Sequence, residues 1–570
     1  MKKRIWLLFV AGLFFGFVLS KKIDSISRKD IRAAQNLLNL NFSKAEIDTM
    51  ISYLESNRKG YDSMRRFPLG NDIVPAVSFD PYPMDLILHP SNGYYNWEID
   101  ESIQLPENRD EIAFLSILEL AGLIKSKKIT SLELTGIYLD RIKKYDNQLL
   151  SFITITDELA IRQAKKADEE ISIGIYKGPL HGIPYGVKDL AAVPGYPTTW
   201  GAAPYKDQFL DQTATVVQKL EDAGAVLLGK LVSGSLARGD VWFRGKTKNP
   251  WDLNQGATGS SAGSGSATSA GLVAFSIGTE TLGSIISPST RCGVTGLRPT
   301  FGAVSRAGIM TLSWSMDKVG PICRSVSDCA IVFDYIRGKD NLDRSVQDFS
   351  FDYAKQSDIK NLKVGYLGAI FDSDSLGNNI HNRRTMDELK ALGIDPIKID
   401  LPKNFPFEVF DIILRAESGA FFDELILSGK HIEMVEQHKG SRANSLRQSR
   451  FIPAVEYLQA NRHRRLLIEE THQILKDFDI IISPTFGGRQ MLITNLTGHP
   501  ALSLPNGFDD KGRPTSITLI GNYFEEAKLI ALAEAFQKQY AYHNFVPKGF
   551  GNTEEWKFVD KENGIGIKSE

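Results

Sequence analysis

The chain has 570 residues, more than one compact core usually holds, so two or more structural units are expected. Its 42% apolar and 24% charged residues suit a globular protein, and a net charge of −1 gives no electrostatic case for a nucleic-acid partner. Three cysteines (Cys292, Cys323, Cys329) make no disulfide framework, and no His/Cys group has zinc-ligand spacing, so no metal is expected.

Lys2, Lys3 and Arg4 precede an apolar run of 15 residues, Ile5 to Leu19. That is the form of a signal peptide and is short for a membrane span of about 20 residues. Cleavage after Ser20 is expected, with export to a periplasm or the extracellular space. Left uncleaved, the same segment is an N-terminal membrane anchor. Residues 27 to 60 read as helical, with Ser27 as a cap and Ser43 to Glu46 in capping-box form. Residues 66 to 106, rich in Pro, Asn and Gly, read as irregular, wrapping chain.

From Glu111 the pattern becomes regular. Helical periodicity covers Ile112 to Leu123, Ser131 to Tyr145, Asp157 to Asp168 and Thr213 to Ala223. Ala225 to Leu228 reads as a short buried strand, and Asn249 to Asp252 as a turn. A Gly/Ser run follows, Gly259 to Gly265, which alone would suggest a linker. The apolar segment Leu272 to Ile277 comes almost at once, however, and reads as a buried strand. Gly-rich backbone beside a buried strand permits the close approach of a substrate. A second Gly/Ser turn, Thr279 to Ser284, comes next.

Further on, the segment Cys323 to Cys329 caps a helix running to about Arg337. Leu362 to Leu367 and Asp395 to Asp400 read as strands, and 405 to 475 as mostly helical. Asp477 to Thr485, Pro500 to Pro505 and Pro514 to Ile520 close the pattern as strands. His499, beside a Pro, reads as a structural hydrogen-bonder rather than a base. Residues 551 to 570 read as a polar tail.

Two of these stretches resemble the amidase signature family of serine hydrolases. Thr258-Gly259-Ser260-Ser261-Ala262-Gly263-Ser264 is similar to its first Gly/Ser element, and Gly278-Thr279-Glu280-Thr281-Leu282-Gly283-Ser284 to its second. The two serines that would react lie 24 positions apart. Upstream, Gly182-Ile183-Pro184-Tyr185-Gly186-Val187-Lys188-Asp189 resembles the segment that carries the family's lysine. The resemblance covers roughly residues 111 to 545. It implies an α/β fold: a mixed, twisted central sheet covered by helices, here with an N-terminal helical extension. The expected organisation is 1–20 signal peptide or anchor, 21–110 helical and irregular extension, 111–550 signature domain, and 551–570 tail. In the family, an extension such as 21–110 serves packing or oligomer formation more often than it forms a lid, and a homodimer is compatible with this. The region matching 405–475 commonly lines the substrate entrance.

The resemblance also implies the chemistry. Ser284 would attack an amide carbonyl and become the acyl-enzyme. Ser260, across a cis bond from Gly259, would relay the proton between Ser284 and Lys188, and burial would keep Lys188 neutral enough to act as base. The backbone N–H groups of Thr281, Leu282, Gly283 and Ser284 would form the oxyanion hole, with Ser261 and Glu280 in support. The expected activity is hydrolysis of a small-molecule or peptide carboxamide to a carboxylate and ammonia or an amine, with no cofactor. Several positions depart from the family pattern. Ala262 stands for a Gly, Glu280 for an Asp, Leu282 for a Gly and Ile286 for an Arg. Leu282 should narrow the space at the carbonyl, and Arg291 is the candidate to replace the missing Arg beside Glu280. Two alternatives share these motifs. One is a glutaminase of the amidotransferase A type, acting on Glu/Asp-tRNA together with partner chains, which an export signal disfavours. The other is a non-catalytic binding protein on the same scaffold, which retention of Lys188, Ser260 and Ser284 disfavours.

Overall fold

The computed structural model describes residues 25–64, 79–83, 86–89, 93–353, 358–372 and 379–551. The apolar segment at 5–19 and most of the tail at 551–570 lie outside the described residues. The chain divides into two compact units between Ile73 and Val74.

The described part of the first unit holds two helices, Arg28–Leu38 and Lys44–Met64. Ser27 caps the first in a capping box with Asp30, and Asn39 ends it in the left-handed region. Ser43 opens the second, its N–H donating to Glu46 at 2.7 Å and its Oγ accepting the Glu46 N–H at 3.3 Å.

The second unit is built on one mixed sheet of 11 strands. In chain order these are β1 (Phe152–Ile155), β2 (Pro184–Lys188), β3 (Val226–Leu231), β4 (Phe275–Glu280), β5 (Thr295–Arg298) and β6 (Lys318–Cys323). β7 (Val364–Leu367), β8 (Ile397–Ile399), β9 (Ile480–Pro484), β10 (Ala501–Phe508) and β11 (Pro514–Gly521) follow. Across the sheet the order is β1-β3-β2-β4-β6-β5-β10-β11-β9-β7-β8. β2 runs parallel to both β3 and β4, whereas β4, β6, β5, β10, β11 and β9 alternate antiparallel. All residues of β2, β3, β4 and β6 are buried, because helices cover both faces. Such doubly covered strands read as apolar runs without alternation.

Two readings of the sequence need correction. The strand expected at Leu272 to Ile277 starts three residues later, at Phe275, and continues to Glu280. The Gly/Ser run, after bends at residues 259–261, continues as a helix that the sequence reading did not expect. Ala262–Ser269 is a helix whose eight residues are all buried. Gly and Ser are poor helix formers in isolation, but here their small side chains let a helix thread through the core. Each buried hydroxyl finds a partner: Ser264 Oγ donates to Ile277 O at 3.1 Å, and Ser266 Oγ to Lys248 O at 2.8 Å. The described part of 79–106 contains no helix or strand. It wraps the second unit, where the Tyr95 N–H and Trp97 Nε1–H both donate to the buried carboxylate of Asp334, at 2.7 and 3.1 Å.

Candidate active site

β2 ends at Lys188. The strand lies between β3 and β4, so the lysine stem has no route to water and its residue is 1% exposed. Lys188 Nζ lies 2.7 Å from Ser260 Oγ, 3.1 Å from Ser261 Oγ, 2.9 Å from Thr279 Oγ1 and 3.4 Å from Thr279 O. No carboxylate is among these contacts. Burial without a counter-ion pushes the Lys188 pKa down to about 7, against the weaker upward pull of Asp317 and Glu280.

Ser260 follows a cis Gly259–Ser260 peptide bond. At Gly259 a Cβ would sit 1.9 Å from Gly239 O, so no other residue fits. The Ser260 carbonyl accepts the Gly234 N–H at 3.2 Å, which ties the loop 234–239 across this bond. Ser261 Oγ donates to Thr279 O at 3.1 Å and accepts the Thr279 N–H at 3.2 Å. Thr279 was missed as a partner of the lysine, although it stands inside the second Gly/Ser turn.

Ser284 sits on the turn between β4 and the helix Ile286–Cys292, and is 8% exposed. Its carbonyl accepts the Ser261 N–H at 3.2 Å. Its Oγ has no hydrogen-bond partner among the described residues, and the residue opens onto a cavity of about 320 Å³. Gly259, Thr281 and Leu282 line the same cavity, so Leu282 does face the space at the nucleophile. The backbone N–H groups of Thr281, Leu282, Gly283 and Ser284 donate to no turn, cap or side chain among the described residues. Gly283 has φ +84°, and a Cβ there would meet Met491 Sδ at 2.4 Å.

Glu280 holds this turn from its base. Its carboxylate accepts the N–H groups of Ile285 at 2.8 Å and Ile286 at 3.0 Å. It also accepts from Arg298 Nη1 at 2.8 Å and Asn495 Nδ2 at 2.9 Å. Burial works to raise the Glu280 pKa, but the charge and hydrogen bond of Arg298 outweigh it and bring it down to about 2. Arg298, on β5, is therefore the partner, and the expectation of Arg291 is overturned. Arg291 is in the last turn of its helix and donates instead to Gln255 at 2.9 Å.

The segment after Lys188 is also fixed by charge. Asp189 pairs with Lys230 of β3 at 2.7 Å, both side chains wholly buried, and accepts the Thr199 N–H at 2.9 Å. Asp189 closes the family-like lysine segment but has no role of its own in the sequence reading, and the signal for Lys230 was a lysine inside the apolar run Val226–Leu231. His499 is buried and hydrogen-bonded to Thr497 Oγ1 at 2.7 Å. Burial, then Arg298 and His472, push its pKa down to about 3, so it stays neutral.

The family model for amidases matches residues 133–493. The chain is 31% identical over 488 residues to the A-type subunit of the glutamyl-tRNA(Gln) amidotransferase of Carboxydothermus hydrogenoformans, covering 77% of this chain and all of that one. Among solved structures, the peptide amidase of Stenotrophomonas maltophilia superposes with a TM-score of 0.69 at 27% identity, over 76% of this chain and 98% of the other. An amidase family protein of Bacillus anthracis gives 0.69 at 27%, over 77% of this chain and 93% of that one.

Proposed function

We propose, from the premise that this chain belongs to the amidase family and hydrolyses amide C–N bonds, that Ser284, Ser260 and Lys188 carry the reaction. The observation that supports this reading best is the 2.7 Å contact between a fully buried lysine amine and Ser260 Oγ. A neutral amine has two N–H donors and one lone pair. Donation to the oxygens of Thr279 and Ser261 leaves the lone pair for the Ser260 hydroxyl proton. The Ser284 hydroxyl, which makes no hydrogen bond among the described residues, must turn toward Ser260 Oγ to hand over its proton as Ser284 Oγ attacks the amide carbon. The carbonyl oxygen becomes an oxyanion, stabilised by the N–H groups of residues 281–284. The relay runs backward to protonate the leaving nitrogen, and the C–N bond breaks. Water then attacks the acyl-Ser284 ester and gives its proton through Ser260 to Lys188; the proton returns to Ser284 Oγ as the ester C–O bond breaks, and the freed acid ionises to the carboxylate. Glu280 and Ser261 position the two serine-bearing segments.

The test is labelling with a fluorophosphonate probe together with turnover of a panel of amides, esters and peptide amides. Ser284→Ala should lose labelling and turnover while its circular dichroism spectrum is kept. Wild-type hydrolysis by that variant would remove Ser284 as nucleophile.

A second reading is favoured by the 31% identity to an amidotransferase chain: a glutaminase that feeds ammonia to a Glu-tRNA partner. Glutamine hydrolysis that depends on co-purifying partner chains would support it. The basic-then-apolar segment at residues 2–19 supports instead an exported or membrane-anchored enzyme. Fractionation of cells expressing the full chain decides between the two.

A further inference from the structure

The cavity at Ser284 has an unequal charge balance. Arg238, Arg415, Lys439 and Arg442 line it, against one carboxylate, Asp411. Asp411 is already paired with Arg415. Arg238 and Lys439 are exposed, and among the described residues their side chains have neither an ion pair nor a hydrogen bond. Arg442 is 5% exposed. Its Nε and Nη2 donate to the carbonyls of Leu236 at 3.0 Å and Ala237 at 3.2 Å, and its Nη1 has no partner among the described residues.

A purely structural role accounts for part of this. Leu236 and Ala237 have φ of 48° and 58°, and the Arg442 fork holds that loop in place. A loop clamp does not explain why Arg442, which lines the cavity, keeps an Nη1 with no partner among the described residues, nor why two further cations without partners there line it too. Such a cluster is unfavourable by itself. Burial and then the charge of Arg238 lower the proton affinity of the Arg442 guanidinium. A buried guanidinium with an unused edge is the usual receptor for a planar anion.

We propose that the amide substrate carries an anionic group, a carboxylate within a few bonds of the scissile carbonyl, which Arg442, Arg238 and Lys439 receive in the cavity that holds Ser284. This rests on the reading of Ser284 as nucleophile. At about 320 Å³ the cavity is at the small end of ligand sites, which suits a short acyl chain ending in a carboxylate.

Three small amides of matched length separate the outcomes: glutaramate (anionic), pentanamide (neutral) and 5-aminopentanamide (cationic). Two readings are taken on the full chain: ammonia release, and protection of Ser284 from fluorophosphonate labelling. Glutaramate should exceed pentanamide in kcat/KM and in protection by about 10- to 100-fold, the range for a charged hydrogen bond, and the cationic amide should be weakest. Added salt should narrow the gap. The double variant Arg238→Gln/Lys439→Gln, at two exposed positions, should move the ratio toward one, and Arg442→Gln should do so more strongly. Equal handling of the three amides by a wild-type enzyme that labels at Ser284 overturns the anionic subsite alone. A ratio unchanged in both variants does the same. Absence of labelling at Ser284 overturns the proposed function, and this inference with it.

Discussion

Replacing Lys188 with Met should abolish turnover and yet make the fold more stable at neutral pH. The amine is wholly buried, and its pKa has fallen from the ordinary lysine value near 10.5 to about 7. At 1.36 kcal/mol per tenfold change, that fall is about 5 kcal/mol of preference for the neutral form. Between pH 7 and 10.5 the unfolded chain binds a proton at this position that the folded chain does not. Folding stability from this group therefore rises with pH across that window, and at pH 7 or below the wild type is short of it by the full amount. Methionine fills a similar volume without a charge to desolvate. It also leaves Ser260 Oγ and Thr279 Oγ1 without their lysine partner, at about 1 kcal/mol each. The net gain expected at pH 7 is about 2–3 kcal/mol. The assay is urea unfolding of both proteins at several pH values from 7 to 10, with the wild type gaining on the variant as pH rises. A stability difference that stays flat over that range would mean that Lys188 keeps its proton in the fold, and the base assignment would fall.

Other consequences can be checked by the same means. The pH profile of kcat/KM should rise about tenfold per unit below pH 7 and level off above it, as the base loses its proton; a profile flat from pH 5 to 8 would exclude Lys188 as the base. Glu280→Gln should cost about 3–5 kcal/mol, because it leaves the buried Arg298 charge without its carboxylate and gives the Ile285 and Ile286 N–H groups an amide in place of an acceptor oxygen. Since the Glu280 pKa is held at about 2, the wild-type advantage in denaturant should be full above about pH 4.5 and shrink as pH falls toward 2. Gly259→Ala has no room against Gly239 O and should yield little soluble or active protein, measured by recovery after purification and by probe labelling.

The burial of Lys188 was legible because it ends an Ile-Pro-Tyr-Gly-Val stretch, where a solvated lysine would be out of place. The helix Ala262–Ser269 was not, because nothing in AGSGSATS favours a helix until the sheet and the strand before it supply walls. The three-residue slip of β4 has a related cause. Thr279 and Glu280 look like turn residues, yet both are buried in the strand, one satisfied by Lys188 and Ser261, the other by Arg298 and Asn495. Partners this distant along the chain leave no local pattern. Arg291 was the nearer choice for Glu280, and β5 brought Arg298 instead. The cations around Ser284 come from the loop at 234–239 and from 415–442, and only the folded chain puts them on one cavity.

The Glu280 contacts also bear on how the enzyme comes into being. The serines and the lysine all precede residue 285, but the carboxylate that steadies their turn is gripped on one side by Asn495. β5, which carries its other partner Arg298, pairs on one edge with β10, from Ala501 onward. A growing polypeptide still on the ribosome therefore has its reactive groups long before it has the scaffold that aims them. Activity should switch on only after Asn495 and β10 have been made, so a chain stalled or clipped before Asn495 would be inert.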